Sequence, residues 1–349
     1  MENDIKKIDL RALSYAELET LILELGEKKF RAAQIFEWIH KRFAHDLSEM
    51  NNIPKALKDK LKNIGTDVHT VTKEMVQISK EDGTRKYLFR LSDDEFVESV
   101  YMKYKHGNSV CVSSQVGCRM GCKFCASTID GLVRNLTAGE MLGQVYEISK
   151  DTDTKISNVV IMGSGEPFDN YDNAVKFMRL LNEEKGINIS GRNITVSTCG
   201  LVPNIRRFAD EEMAATLAIS LHASNDEKRK EIMPIANSYT IEEIIDACRY
   251  FFDKTGRRLT FEYSLISGVN DSDEEAMELS KLLKGLNCHV NLIPVNPIKE
   301  RTFKSPSKEA AFAFKDKLEK NHINATIRRE MGRDIDGACG QLRRRKISS

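Results

Sequence analysis

Three cysteines fall within eight residues, in the run Cys118-Arg119-Met120-Gly121-Cys122-Lys123-Phe124-Cys125, with further glycines at 117 and 131. Thiols this close converge on one metal centre only where the backbone wraps around it, and the glycines permit that wrap. Zinc normally takes four tight ligands, or three and a water, whereas a cube of four irons can be held by three thiolates. Its fourth iron is then open. An open iron can chelate a small molecule through an amine and a carboxylate, and the cube can pass that molecule one electron. A zinc site or a set of ordinary thiols is the competing reading.

Other polar groups recur where strands should end. Strand-like runs at 109–114, 158–162, 193–197, 216–221, 259–265 and 289–295 alternate with candidate helices at 138–149, 173–182, 203–209, 241–252, 274–283 and 307–320. Six such units predict a parallel sheet with crossover helices. Gly163-Ser164-Gly165-Glu166-Pro167 follows the second run, Ser197-Thr198-Cys199-Gly200 the third, Ser220-Leu221-His222 the fourth and Asn296-Pro297 the sixth. Barrel chemistry is built from loops at the carboxyl ends of strands, so these groups should meet the three-cysteine loop. Gly-Ser-Gly-Glu by itself is more often a turn than a ligand site; its register with the other strand ends gives it weight. Glu166, beside two flexible glycines, suits an amine, while Ser197 and Asn296 suit a carboxylate or hydroxyls. His222 reads either as a ligand contact or as a satisfied supporting residue. Cys199, Cys248 and Cys288 read as buried small hydrophobes.

The remaining segments frame this domain. Residues 1–64 form a small helical module, with helices at 12–25, 31–43 and 55–61 and with Ile35, Phe36 and Trp38 in its core. Between 41 and 62, six Lys and Arg face three acids, which is either a solvated surface or a phosphate-facing patch. Residues 65–104 read as β strands that bridge to the main domain, with a hairpin turn at Glu81-Asp82-Gly83. The partial barrel spans 105–320, and 321–349 adds one more strand, at 324–328, and a loop with Cys339 between glycines. Cys111, on the strand that feeds the cluster loop, can point into the same cavity. One rigid and one loop thiol outside the cluster suit covalent chemistry followed by disulfide closure.

With 349 residues the chain can bury a large core, and its net charge of +1 gives no global attraction for nucleic acid. Eight cysteines, no apolar leader and no run of 18 apolar residues lead to the expectation of a cytoplasmic enzyme with no membrane contact.

The cysteine spacing is similar to the radical S-adenosylmethionine (SAM) signature. Val97-Glu98-Ser99-Val100, the run from Cys111 to Cys118, Met162 to Pro167, Ser220-Leu221-His222-Ala223, Met233-Pro234-Ile235, Asn291-Leu292-Ile293-Pro294 and Asp336 to Leu342 together resemble the radical SAM adenosine methyltransferases of the RlmN type. The resemblance is looser over the helical module, which it makes an RNA-binding domain. It implies an α/β fold, a partial (β/α)6 radical SAM barrel carrying one [4Fe-4S] cluster on Cys118, Cys122 and Cys125. It implies SAM contacts from Gly165, Glu166, Ser197, Ser220, Leu221, His222 and Asn296. It makes Cys339 the residue that is methylated, Cys111 the thiol that resolves the covalent intermediate, and Glu98 the base. The implied product is 2-methyladenosine at position 2503 of 23S rRNA, and at position 37 of some tRNAs, with two SAM spent per methyl. The C2 carbon of adenine is electron-poor and cannot attack a sulfonium methyl, but a radical can add to it. A low-potential donor such as flavodoxin or ferredoxin and a monomeric state are also implied. A target base must leave its stack to reach such a pocket, and the basic excess over 328–349 suits RNA phosphates. The sister activity on C8 of the same nucleotide is the nearest alternative. An RNA-binding or redox-sensing iron–sulfur protein is another, which leaves Cys111 and Cys339 unexplained.

Overall fold

The computed structural model describes residues 8–69, 71–105, 107–298, 301–335 and 340–348, so Cys339 lies outside the described residues. The N-terminal module consists of β1 (Ile8–Asp9), α1 (Tyr15–Glu24), α2 (Phe30–His40), α3 (Lys55–Asn63) and β2 (Thr66–Asp67), with β2 parallel to β1. Ser14 and Glu17 form a reciprocal cap at the start of α1, satisfying two backbone amides that the helix cannot. Apolar residues at helical spacing bury Leu18 and Ile22 of α1, Ile35, Phe36 and Ile39 of α2 and Leu57 and Leu61 of α3. Trp38 departs from the expected core position. It sits half-buried at the rim, where its indole N–H donates to Asn52 Oδ1 at 2.6 Å and Arg42 lies 4.4 Å from its ring. A buried indole would need a polar partner in the core, and the surface supplies one.

Next come β3 (Val71–Ile78), β4 (Arg85–Leu91), β5 (Phe96–Tyr104), β6 (Gly107–Val112), β7 (Gln115–Gly117), β8 (Leu132–Asn135) and α4 (Ala138–Thr152). The alternating part continues through β9 (Ile156–Ile161), α5 (Tyr171–Asn182), β10 (Ile194–Thr198), α6 (Val202–Ala209), β11 (Thr216–Ser220), α7 (Asp226–Ile232) and α8 (Ile241–Thr255). It closes with β12 (Leu259–Leu265), α9 (Asp273–Leu283), β13 (Cys288–Pro294), α10 (Lys308–Lys320), β14 (Ala325–Ile327) and α11 (Gln341–Ser348).

One ten-stranded sheet organises these elements, in the order β14-β13-β12-β11-β10-β9-β6-β5-β4-β3. From β6 to β14 every pairing is parallel, while β3 to β6 pair antiparallel. β3 and β14 are edges, so the barrel is partial. The six expected strands and six expected helices all appear, with ends displaced by a few residues. The strands before residue 105, expected as a bridge, extend the barrel sheet itself. The β7–β8 hairpin and α7 have no counterpart among the expected elements. The sequence of α7, Asp-Glu-Lys-Arg-Lys-Glu-Ile, lacks an apolar stripe; the Asn225 side chain starts it by accepting from Lys228 N.

The helical module rests on α4. Phe43 stacks on Tyr146 with ring centroids 4.7 Å apart, and His40 Nδ1 lies 2.7 Å from the Tyr146 hydroxyl. A Cβ on Gly139 would come within 1.9 Å of Asp9 Oδ2, so only glycine lets β1 lie this close. Among the described residues no helix is long and apolar enough to cross a membrane.

Candidate active site

The three-cysteine loop is bridged by the β7–β8 hairpin. Cys118 N donates to Gly131 O at 2.9 Å, and a Cβ on Gly117, at φ +76°, would stand 2.0 Å from that same oxygen. Glycine is therefore required where the strands cross. The far side of the loop is held by Lys123 N, which donates to Ile232 O at 2.9 Å, and by the Thr128 hydroxyl, which donates to the carbonyls of Cys122 and Cys125. These bonds curl the chain so that Cys118, Cys122 and Cys125 line one cavity of about 220 Å³.

The same cavity is lined by Gly165, Glu166, Ser197, Ser220 and His222, all from the carboxyl ends of β9, β10 and β11. The strand-end groups and the cysteine loop thus meet. Leu221 is fully buried, and Asn296 lines a neighbouring cavity instead. Gly163 and Gly165 are not loose hinges, as their sequence context suggested. A Cβ on Gly163 would meet Ser113 N at 2.7 Å, and one on Gly165 would meet Gln115 Cβ at 2.6 Å, so both serve close packing against the β6–β7 segment. Glu166 is buried, and its carboxylate accepts from Cys199 N at 2.7 Å and Phe168 N at 2.9 Å. Burial pushes its carboxyl up despite those two amides. The side chains of Thr198 and Cys199 also approach this carboxylate, so a ligand amine would share it with the ends of the neighbouring strand.

His222 takes a left-handed conformation, φ +60°. Its Nδ1 accepts from Ser264 N at 2.9 Å, which leaves the ring proton on Nε2. Burial, aided by the Arg229 charge, lowers this histidine to about 3, so the ring is neutral. Phe124 of the cysteine loop packs edge-on against it, centroids 4.9 Å apart. Arg229, on the unanticipated α7, is a functional support that sequence reasoning missed. Fully buried, it donates to Cys199 O at 2.6 Å and Leu221 O at 3.2 Å, tying the ends of β10 and β11 together.

A second cavity of about 540 Å³ adjoins the first, sharing Met162, Ile293 and Arg328 as wall. Cys111 lines it, with Val100, Asn296, Arg329, Arg333, Ile335 and Gln341. Register explains the placement: Cys111 on β6 pairs with Val100 on β5, and Glu98 shares the Val100 face two residues away. Glu98 is buried, with both carboxylate oxygens engaged. It accepts from Gly340 N and Arg343 N, each at 2.6 Å, and pairs with Lys86 at 3.0 Å. Lys86 is itself fully buried, with no warning in the sequence beyond an inward position on β4 beside Leu88. Gly340, the residue after Cys339, stands against the cysteine loop: its missing Cβ would meet Ser127 N at 2.9 Å. The expected basic surface is partly consumed by internal pairs, since Arg343 meets Glu95 at 3.1 Å and Lys346 meets Glu74 at 2.9 Å. Arg328, Arg329 and Arg333 line the cavity, Arg333 with Glu330 3.6 Å away.

The donor set fits an iron–sulfur centre. Burial raises Cys118 to about 12 and Cys122 further, so their thiolates need a strongly cationic partner. The three sulfurs do not form a group with all members within 4.8 Å of one another. Zn–S bonds of about 2.3 Å would draw thiolates to about 3.8 Å.

Comparison with known proteins identifies the family. Residues 112–280 match the model of the radical SAM superfamily, and residues 8–66 match the ribosomal RNA large subunit methyltransferase N-terminal domain. A protein of Lachnospira eligens called probable dual-specificity RNA methyltransferase RlmN is 63% identical, covering 96% of this chain and 95% of its own length. The protein of the same name from Clostridioides difficile is 54% identical, covering 97% and 98%. The crystal structure of a radical SAM methyltransferase from Sphaerobacter thermophilus superposes with a TM-score of 0.92 at 45% identity, covering 96% of this chain and 98% of that one. With both family models matched in order and the relatives aligned nearly end to end, the chain belongs to the RlmN family of radical SAM RNA methyltransferases.

Proposed function

We propose that the protein methylates C2 of adenosine 2503 in 23S rRNA, and C2 of adenosine 37 in some tRNAs, by way of a methyl group carried on Cys339. The observation that supports this best is the shared wall between the Cys111 cavity and the three-cysteine cavity, with Gly340 packed at their junction. The relatives' name favours C2 over the C8 alternative. When bound, a [4Fe-4S] cluster would supply the electron that cleaves SAM, and so a radical able to take hydrogen from an S-methyl group.

The chain's own residues have distinct tasks. Cys118, Cys122 and Cys125 hold the cluster as thiolates. Gly165, Glu166, Ser197, Ser220 and His222 line the space for SAM, Leu221 backs them through its bond to Arg229, and Asn296 lines the adjoining outer cavity. Cys339 carries the carbon that becomes joined to C2. The cluster that gave the electron would take one back from the adduct, and once the C2 proton has also left, the Cys111 thiolate attacks the Cys339 sulfur. The electron pair of the broken S–C bond goes to carbon, which is protonated to methyl, and a Cys111–Cys339 disulfide remains to be reduced. Glu98 could accept the C2 proton on an oxygen freed by releasing Gly340 or Arg343. That release also loosens the segment after Cys339, so one event can serve both steps.

A low-potential donor such as flavodoxin or ferredoxin, a monomeric state and a cytoplasmic location complete the reading. The test is mass spectrometry of rRNA and tRNA digested after reaction with SAM and a low-potential reductant, against 2-methyl- and 8-methyladenosine standards. We expect 2-methyladenosine; the 8-methyl product alone would reverse the assignment.

A further inference from the structure

Outside both cavities, three segments meet beside the helical module. His45 follows α2, His69 follows β2 and Glu147 lies on α4. Among the described residues this is the one set of three His, Cys, Asp or Glu side chains whose donor atoms all fall within 4.8 Å of one another. His45 Nε2 and Glu147 Oε1 are 2.8 Å apart, with side chains 32% and 11% exposed. The imidazoles of His45 and His69 lie 4.6 Å apart, tilted by 35°.

We propose that His45, His69 and Glu147 form a zinc site that clasps the helical module and the start of the sheet to α4. Two imidazoles and a carboxylate are a ligand set zinc accepts, with water in the fourth position. The second ring nitrogen of a ligating histidine normally has its own hydrogen-bond partner, which orients the ring. His69 meets that requirement: its Nε2 lies 3.1 Å from Thr72 Oγ1, while Nδ1 is buried with no hydrogen-bond partner. An N–H on Nε2 leaves the Nδ1 lone pair turned toward the cluster of donors. Glu147 Oε1 is also without a directed hydrogen bond, although it touches His45.

Two cations oppose metal entry. Lys150 Nζ lies 3.5 Å from His45 Nε2, and it is exposed, so it can turn to solvent. Arg11 is buried, but Asp9, Glu147 and Asp67 share its field. Metal–ligand bonds of about 2.0–2.1 Å require donors about 3.3 Å apart, so the side chains must adjust by about an ångström. Without metal, the same residues make an ordinary interdomain ion pair, and the experiment separates the two.

Protein purified with its cluster intact is given a small excess of zinc, desalted, and analysed for zinc and iron, alongside His69→Ala and Glu147→Gln. The wild type should retain about one zinc per chain with iron unchanged, and both variants should lose most of that zinc while keeping their iron. Zinc should raise the melting temperature of the wild type alone. Retained iron certifies the fold of each variant, and Glu147→Gln, which preserves shape, decides if His69→Ala misfolds. No zinc retained by the wild type, equal zinc in the variants, or zinc gained only as iron is lost would overturn the site.

Discussion

The three-cysteine cavity and the Cys111 cavity share a wall but are assembled in opposite ways. The first is made by a short loop and by the ends of consecutive parallel strands, so neighbours in sequence become neighbours in space. The second depends on the last turn of the chain reaching back across the sheet. Gly340 and Arg343 bond Glu98 from 242 and 245 positions away, and Asp334 bonds Ser79 from 255. The inner chamber is therefore built into the barrel, whereas the outer one is held by a few polar clamps on a terminal segment. Clamps of this kind can be opened without unfolding the sheet.

The sharpest way to break that distinction is to remove a thiol from each chamber. Cys118→Ala, Cys122→Ala or Cys125→Ala should drop iron from about four per chain to almost none and abolish methylation, since three ligands leave no spare. Cys111→Ala should keep its iron, and RNA should stay attached to the protein as a nuclease-sensitive mass increase on a denaturing gel. Cys339→Ala should also keep iron but form neither link nor product. Cys199, which lines the inner cavity near Cys122, tests the count of ligands, because Cys199→Ala should retain the full iron content. Iron lost from Cys111→Ala would mean that the two chambers are one structural unit.

A smaller effect should follow from the buried Lys86–Glu98 pair. Removing one member of such a pair strands the other charge and costs about 3–5 kcal/mol. Lys86→Met should lower stability in denaturant titrations by that order while iron remains bound. Glu98→Gln keeps one carbonyl acceptor but turns an amide group toward a backbone donor, so it should also destabilise the α11 junction. If Glu98 accepts the C2 proton, release of methylated RNA should slow by about 100-fold. The double variant should cost less than the sum of the two, as coupled partners do. Strict additivity would remove the clamp from the account.

How legible each chamber was follows from the same contrast. The Cys-x3-Cys-x2-Cys spacing and the strand-end groups could be read because their meaning is local, and the periodicity that sets the parallel sheet spans each unit. Arg229 was illegible because α7 carries no apolar stripe and its guanidinium is explained only by the carbonyls of Cys199 and Leu221. Lys86 looks like a surface lysine until the register of β4 and β5 turns it toward Glu98. Gly163 and Gly165 were visible as glycines, and Gly165 does use a glycine's backbone freedom, at φ +105°; the close approach of Ser113 and Gln115 comes from strand packing that no sequence pattern announces. Glu98 was named as a base from resemblance, and only the fold reveals that both its oxygens hold the chain around residue 340.

The mildest test concerns the clamp on the other side of Cys339. There the β3–β4 turn grips residues 332–334: Asp82 Oδ2 accepts from Gly332 N at 3.0 Å, and Asp334 accepts from the Ser79 hydroxyl at 2.5 Å and from Lys80 N at 2.8 Å. Each is an ordinary hydrogen bond at a partly exposed site, so Ser79→Ala or Asp82→Asn should speed tryptic cleavage after Arg333 by only about fivefold. The pH dependence has a definite sign. Burial tends to raise Asp82, but the amides of Gly332 and Thr84 outweigh it and hold the carboxyl at about 2, below the ordinary 3.8. A carboxyl lowered by folding contributes its stability above the unfolded value and loses it as pH falls toward the folded one. Cleavage after Arg333, corrected for trypsin's own profile, should therefore stay flat from pH 8 to pH 5 in wild type. Loosening in that range would assign control of the segment to a different group, and unchanged cleavage in Asp82→Asn would leave Glu98 as its main tether.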